Sequence, residues 1–181
     1  MPSKRINVFV DLGETLIHTI GMAPYAGKET FELKGQEPDP EVEYADKPVK
    51  VKIDKEICYV VLRPGANYLL YRLREIGHVY MLTRASKSYA KAMNKAFNFG
   101  FDEDRIFDKE YVKNWKYKNP KIPKGDNVLI DDLDSYDNFE KINFIKKFGP
   151  AKYIRIDAFW GWKESGLTHM NIDSIIEDIK S

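Results

Sequence analysis

The sequence predicts an α/β fold, a Rossmann-like and mainly parallel sheet flanked by helices. Two observations carry that prediction: short apolar runs recur and halt at polar residues, and segments of helical spacing lie between them. A third feature, one long loop-rich and hairpin-like stretch, breaks the alternation and predicts a small β insertion.

The runs Ile6-Asn7-Val8-Phe9-Val10, Val79-Tyr80-Met81-Leu82 and Val128-Leu129-Ile130 stop at Asp11, Thr83 and Asp131. Near-continuous apolar runs of this length suit strands buried on both faces of a parallel sheet. A fourth run, Tyr153-Ile154-Arg155-Ile156, precedes Asp157. Between them, residues 68–76 place Leu69, Leu70, Leu73 and Ile76 three and four apart, which is helical spacing. Residues 86–99 set Tyr89, Met93 and Phe97 four apart, and Gly100 offers a stop. Residues 138–148 repeat Phe139, Ile142, Ile145 and Phe148 before Gly149-Pro150 ends them. Residues 18–62 form the interruption. After a stretch holding Pro24, Gly27, Gly35, Pro38 and Pro40, Val49, Val51 and Ile53 alternate with Lys50, Lys52 and Asp54, and an apolar run to Leu62 follows. That is a hairpin signal with one apolar face. We expect one domain over residues 1–181, with 18–62 overhanging the strand ends.

Composition narrows the classes further. The 181 residues include 43% apolar side chains and 24 aromatics, enough for a substantial core. With 29 basic against 28 acidic side chains the net charge is +1, so no general footprint for nucleic acid or anionic membrane exists, though a local basic groove stays open. No apolar stretch approaches the roughly 18–20 residues that span a bilayer, and nothing at the N-terminus reads as a signal peptide. The single Cys58 rules out an intramolecular disulfide and suits a reducing compartment. The expectation is a cytoplasmic, monomeric protein.

Ligands of open α/β sheets bind beyond the carboxyl ends of the strands, so the polar residues there matter. Asp11 offers a carboxylate that can attack phosphorus in line, and Thr83 a hydroxyl for a non-bridging phosphoryl oxygen. Asp131 and Asp132 supply hard oxygen ligands of the kind Mg²⁺ prefers. Lys113, upstream of the third run, can neutralise charge, with Lys109, Lys116 and Lys118 as neighbouring competitors.

Val10-Asp11-Leu12-Gly13-Glu14-Thr15-Leu16-Ile17-His18 resembles the first motif of the haloacid dehalogenase superfamily, and most of all that of its small RNA polymerase II C-terminal-domain phosphatases. The resemblance continues through Leu62-Arg63-Pro64-Gly65, Leu82-Thr83-Arg84-Ala85, Tyr111-Val112-Lys113 and Leu129-Ile130-Asp131-Asp132, over residues 6–160. It implies a phosphatase with Asp11 as nucleophile and Thr83 and Lys113 as phosphate-side partners. It also implies Mg²⁺ held by Asp11, Asp132 and the Gly13 carbonyl, with Asp131 in support. The substrate implied is a phosphoserine or phosphothreonine protein, with a small molecule, a nucleotide or a nucleic-acid end as the alternative.

Gly13 departs from the pattern, which has an aspartate there as general acid and base. An engineered change, a phosphate-binding pseudophosphatase and a substrate with an easy leaving group all fit that departure. Other motifs fall away. A calcium loop starting at Asp132 lacks its sixth-position glycine and twelfth-position glutamate. Cys58 lacks an arginine six residues on and reads as a buried structural thiol. His18, His78 and His169 show neither metal spacing nor an evident partner. The Lys-rich residues 113–124 read as a solvated loop, and Phe159, Trp160 and Trp162 as packing.

Overall fold

The computed structural model describes residues 6–21, 36–113, 120–162 and 166–181. Its strands are β1 (Ile6–Val10), β2 (Ile17–Thr19), β3 (Val49–Ile53), β4 (Glu56–Leu62), β5 (His78–Leu82), β6 (Ile106–Phe107), β7 (Asp126–Asp131) and β8 (Ala151–Arg155). Its α-helices are α1 (Ala66–Ile76), α2 (Lys87–Ala96), α3 (Lys109–Lys113), α4 (Phe139–Ile145) and α5 (His169–Lys180). Five strands form one parallel sheet in the order β6-β5-β1-β7-β8, and β2-β4-β3 form a separate antiparallel sheet. The chain runs outward from β1 through β5 to β6, then returns to β7 on the other flank of β1. That reversal makes the carboxyl end of β1 a topological switch point, where such sheets open a crevice.

Successive side chains of a strand point to opposite faces, and β1 shows the result. Val8 and Val10 pack with Leu69, Leu70 and Leu73 of α1, Met93 of α2 and Ile172 and Ile176 of α5. Phe9 faces the other way, with Tyr80, Leu82, Phe107, Leu129 and the α4 residues Phe144 and Ile145. The first face is aliphatic. The second is an aromatic stack in which Phe9 lies 5.1 Å from Tyr80 and meets Phe144 edge-on at 6.3 Å.

The hairpin expected from alternation is β3 and β4, with Val51, Ile53 and Cys58 buried and Val49 exposed. The loop before it is described from residue 36 onward, and residues 22–35 of the expected overhang lie outside the described residues. Cys58 is a free, buried thiol whose pKa burial pushes up to about 11, which suits packing rather than reactivity. Tyr89 on α2 shares a hydrogen bond with Thr19 of β2 and so ties the small sheet to the large domain face. Among the described residues no helix is long and apolar enough to cross a membrane.

The helical spacing over 138–148 yields α4 and a 3-10 turn over Lys146–Phe148, but Phe139, Ile142, Ile145 and Phe148 do not face inward as a unit: Phe139 is 58% exposed, and the buried residues of α4 are Lys141, Phe144 and Ile145. The reason is geometric. Residues three apart fall about 60° short of a full turn, so four of them fan across roughly half the helix. Positions 141, 144, 145 and 148 instead follow the i, i+3, i+4, i+7 spacing of a single face. The aromatic run near the C-terminus also divides. Phe159 is fully buried, whereas Trp160 and Trp162 keep substantial exposure.

Helix α5 has no counterpart in the expected elements. Thr168 caps it by accepting from the Asn171 amide, and Ile172, Ile175, Ile176 and Ile179 bury one face against the aliphatic side of the sheet. Truncating Ile176 to alanine should cost about 2–5 kcal/mol through lost transfer energy and a residual cavity. Chemical denaturation checks this: a change within about 0.5 kcal/mol, ordinary for surface sites, would show that α5 merely lies on the domain.

Candidate functional site

Asp11, Thr83 and Asp131 stand at the carboxyl ends of three adjacent strands, because β5, β1 and β7 are neighbours in register. The Asp11 amide donates to the Ile130 carbonyl at 3.0 Å and carries the β1–β7 ladder one residue past the strand. Asp11, Asp131 and Asp132 thereby converge, with one carboxylate oxygen from each lying within 4.8 Å of the others.

The loop after β1 closes tightly. The Leu16 and Ile17 amides return to the Leu12 carbonyl, the Glu14 amide donates to the Ile17 carbonyl, and Leu12, Leu16 and Ile17 are fully buried. Glu14 takes a left-handed backbone with φ +54°, uncommon outside glycine. Its carbonyl accepts from the Phe159 amide at 2.6 Å, so the segment after β8 braces this loop. Just past β4, Arg63 is 3% exposed, donates to the Thr15 carbonyl at 3.3 Å and lies over the Phe159 ring. His18, which sequence left without a partner, has one: Nδ1 lies 3.2 Å from Glu14 Oε1.

Both oxygens of Asp11 are engaged. The Lys141 ammonium donates to Oδ1 at 2.5 Å and to Asp131 Oδ2 at 2.7 Å. On the opposite edge, Thr15 Oγ1 donates to Asp132 Oδ1 at 3.1 Å and lies 3.4 Å from Asp11 Oδ2. The other Asp131 oxygen accepts from the Leu133 amide at 3.0 Å. Thr83 is buried and its hydroxyl oxygen accepts from the Ala85 amide, which leaves the hydroxyl proton available to a ligand. Ser86 caps α2.

Burial pushes the Asp11 carboxyl up to about 8, with Lys141 pulling it back and the Asp131 and Asp132 charges adding to the rise. Burial, followed by the Asp131 charge, lifts Asp132 to about 6. Burial alone would depress Lys141; the charges of Asp11 and Asp131 outweigh it and hold the ammonium above its ordinary value. Three carboxylates against one ammonium leave an excess of negative charge, and their hard oxygens suit a divalent cation.

Of the residues named from sequence, Asp11, Asp131 and Asp132 come together here, and Thr83 ends the adjoining strand. Gly13 lies half-buried two residues past Asp11, and a Cβ built on it meets nothing within 4 Å. Lys113 closes α3, and its side chain lies outside the described residues, as does most of the Lys-rich stretch 113–124. Sequence reasoning missed Lys141, Thr15 and Arg63. The signal for Lys141 was its place in the i, i+3, i+4, i+7 face with Phe144, Ile145 and Phe148. Beside the site, Arg84, Tyr136, Asp137, Phe139 and Glu140 line a cavity of about 380 Å³.

A family model described as NLI interacting factor-like phosphatase matches residues 6–148. Among solved structures, a fission yeast RNA polymerase II CTD phosphatase, Fcp1, as a variant bound to beryllium fluoride, aligns at TM-score 0.50 and 14% identity. That alignment covers 97% of this chain and 50% of that one. A second structure of Fcp1, an essential RNA polymerase II CTD phosphatase, aligns at TM-score 0.53 and 18% identity, covering 96% and 49%. The HAD domain of the Legionella pneumophila effector protein Lem4 aligns at 0.48 and 17%, covering 97% and 94%. The chain thus spans about half the length of the Fcp1 structures it matches. No curated protein matches it in sequence.

The raised carboxyls make a pH prediction for the protein kept free of divalent cations. Their ordinary value is 3.8, so the stability tied to their protonated forms is full below that pH. It is lost as pH climbs through about 6 for Asp132 and about 8 for Asp11. Calorimetry in chelator should show the unfolding midpoint falling from about pH 5 to about pH 8, with the upper part of the slope flattened in Asp11→Asn. A midpoint that stays level or rises across that interval contradicts it.

Proposed function

The chain belongs to the NLI interacting factor-like phosphatase family, and from that premise we propose that it is a Mg²⁺-dependent phosphomonoester phosphatase working through an aspartyl-phosphate on Asp11. The observation that carries the reading is the convergence of Asp11, Asp131 and Asp132 at the end of the central strand. Phosphoserine or phosphothreonine in a protein is the substrate class, in keeping with the family. An intracellular setting goes with it.

The donor set fits the metal. Asp11 Oδ2 and Asp132 Oδ1 face one another across Thr15, and with the Gly13 carbonyl they would hold Mg²⁺ by oxygens alone. When bound, the ion supplies Lewis-acid neutralisation of phosphoryl charge. The protein's own groups do the rest. Asp11 attacks phosphorus, an oxygen–phosphorus bond forms, and the bond to the departing ester oxygen breaks. The Thr83 hydroxyl donates to a non-bridging oxygen. Water then attacks the same phosphorus, frees the Asp11 carboxylate and leaves inorganic phosphate.

Gly13 provides no carboxyl to protonate the leaving oxygen or to deprotonate that water. Such catalysis is typically worth about 10²–10⁴-fold, so alkyl phosphoesters with basic leaving groups should react slowly and aryl phosphates less so. A phosphate-binding protein without turnover is the second reading, and Gly13 is the observation that favours it.

Turnover of an aryl phosphate and of a phosphoserine peptide, with Mg²⁺ and with chelator, tests the proposal. Asp11→Asn should abolish turnover with the fold intact, and normal turnover by this variant would end the aspartyl-phosphate mechanism. Asp132→Ala should weaken Mg²⁺ binding, read by calorimetric titration, without unfolding the domain. The open space at Gly13 admits a longer side chain, so Gly13→Asp should raise peptide hydrolysis about 10²-fold and aryl phosphate hydrolysis less. Equal peptide hydrolysis by both forms would mean that another group acts as acid and base. Inactivity of both would favour the binding-only reading.

A further inference from the structure

The strongest unassigned chemistry lies in α4, whose position is set by a charged residue rather than by its apolar stripe. Lys141 is 2% exposed. Lysine is almost never fully buried unless paired, and this one is paired twice, with Asp11 Oδ1 and Asp131 Oδ2. Seating it inward leaves Phe139 at the surface. With the acids in place the lysine is needed to pair them, but stability alone does not call for an ion pair here, because well-packed apolar residues in place of the whole pair are often as stable or more so.

The two edges of the Asp11 carboxylate are distinct. Oδ2 faces Thr15 and, through it, Asp132, the edge that suits a metal ion. Oδ1 faces only the ammonium among the described hydrogen bonds. Asp131 is fully buried with both oxygens committed, one to the Leu133 amide and one to Lys141. It is therefore an anchor for the lysine more than a ligand in its own right.

We propose that Lys141, anchored on Asp131, is a catalytic lysine of this site: it holds the attacking oxygen of Asp11 and takes up charge on the transferred phosphoryl group. The inference rests on the phosphatase reading above and adds to it a residue that lies ten positions after Asp131, whereas motif order points upstream to Lys113. In the step, Asp11 Oδ1 gives an electron pair to phosphorus and the ester oxygen departs with the electrons of its bond, taking a proton from solvent. Water then forms the new bond to phosphorus, Oδ1 regains its pair, and the water's proton goes to solvent. Lys141 keeps its charge throughout; it gains the phosphoryl oxygens as acceptors when negative charge shifts onto them. A preorganised donor at such a place is worth about 10²–10³-fold in kcat.

The test compares the parent with Lys141→Met, a substitution of similar length without charge, and with Asp131→Asn. Each variant is assayed on an aryl phosphate with Mg²⁺, titrated with Mg²⁺ alone, and followed by fluorine NMR for a beryllium fluoride adduct. Lys141→Met should lose about 10²–10³-fold in kcat, with KM and Mg²⁺ affinity within about threefold, and its adduct should weaken. Asp131→Asn should lower kcat by a smaller factor and leave Mg²⁺ affinity unchanged; it decides the matter if Lys141→Met does not fold. A folded Lys141→Met with parental kcat and parental adduct overturns the proposal, as does an Asp131→Asn variant that loses Mg²⁺ affinity at unchanged kcat. If the parent itself forms no adduct and hydrolyses nothing, the phosphatase reading fails and takes this one with it. If the parent reacts, only the role of Lys141 is at stake.

Discussion

A carboxylate buried at the end of the central strand is costly, and the ion pair between Asp11 and Lys141 is what makes it tolerable. Much of the nearby architecture follows from that pair. Asp131 must lie alongside to share the ammonium, which the parallel β1–β7 ladder ensures by setting the two strand ends level. Helix α4 must present Lys141 inward, so Phe144 and Ile145 follow it onto the aromatic face while Phe139 stays out. Even so, one ammonium does not balance three carboxylates. Burial raises Asp11 and Asp132 together, the neighbouring carboxylate charges add to the rise, and the site suits a divalent cation.

The loop that carries Gly13 is held by groups outside the loop. Arg63 braces it from below and the Phe159 amide holds the Glu14 carbonyl from above, while Phe159 itself is sealed against the Arg63 guanidinium. Burial lowers the pKa of Arg63, and the charges of Asp157 and Asp132 oppose that fall. Gly13 is the place in this braced turn where a side chain is missing and space remains for one, beside a carboxylate cluster that converges without it.

Much of this was legible along the chain. Residues that end buried strands are polar because the ladder stops there and solvent begins, so Asp11, Thr83 and Asp131 announced themselves. The hairpin was legible because Val51 and Ile53 alternate with lysines and aspartate, and only one face of β3 is covered. Family resemblance, spread over several ordered motifs, pointed to the same strand ends. Helix α5 has isoleucines as regularly spaced as the leucines of α1, but it lies beyond the last motif of the resemblance.

What sequence by itself determined is the alternation of strands and helices, and with it the set of acids that a parallel sheet must gather at one edge. Periodicity and strand ends are local properties, and local spacing records them. The tertiary structure decided which cation meets those acids. Asp11 and Lys141 lie 130 residues apart, and no spacing rule connects them. Only the return of the chain to β7, beside β1, brings α4 over the Asp11 carboxylate. A buried charge then selects the rotation of that helix because leaving the carboxylates unpaired would cost more than exposing one phenylalanine.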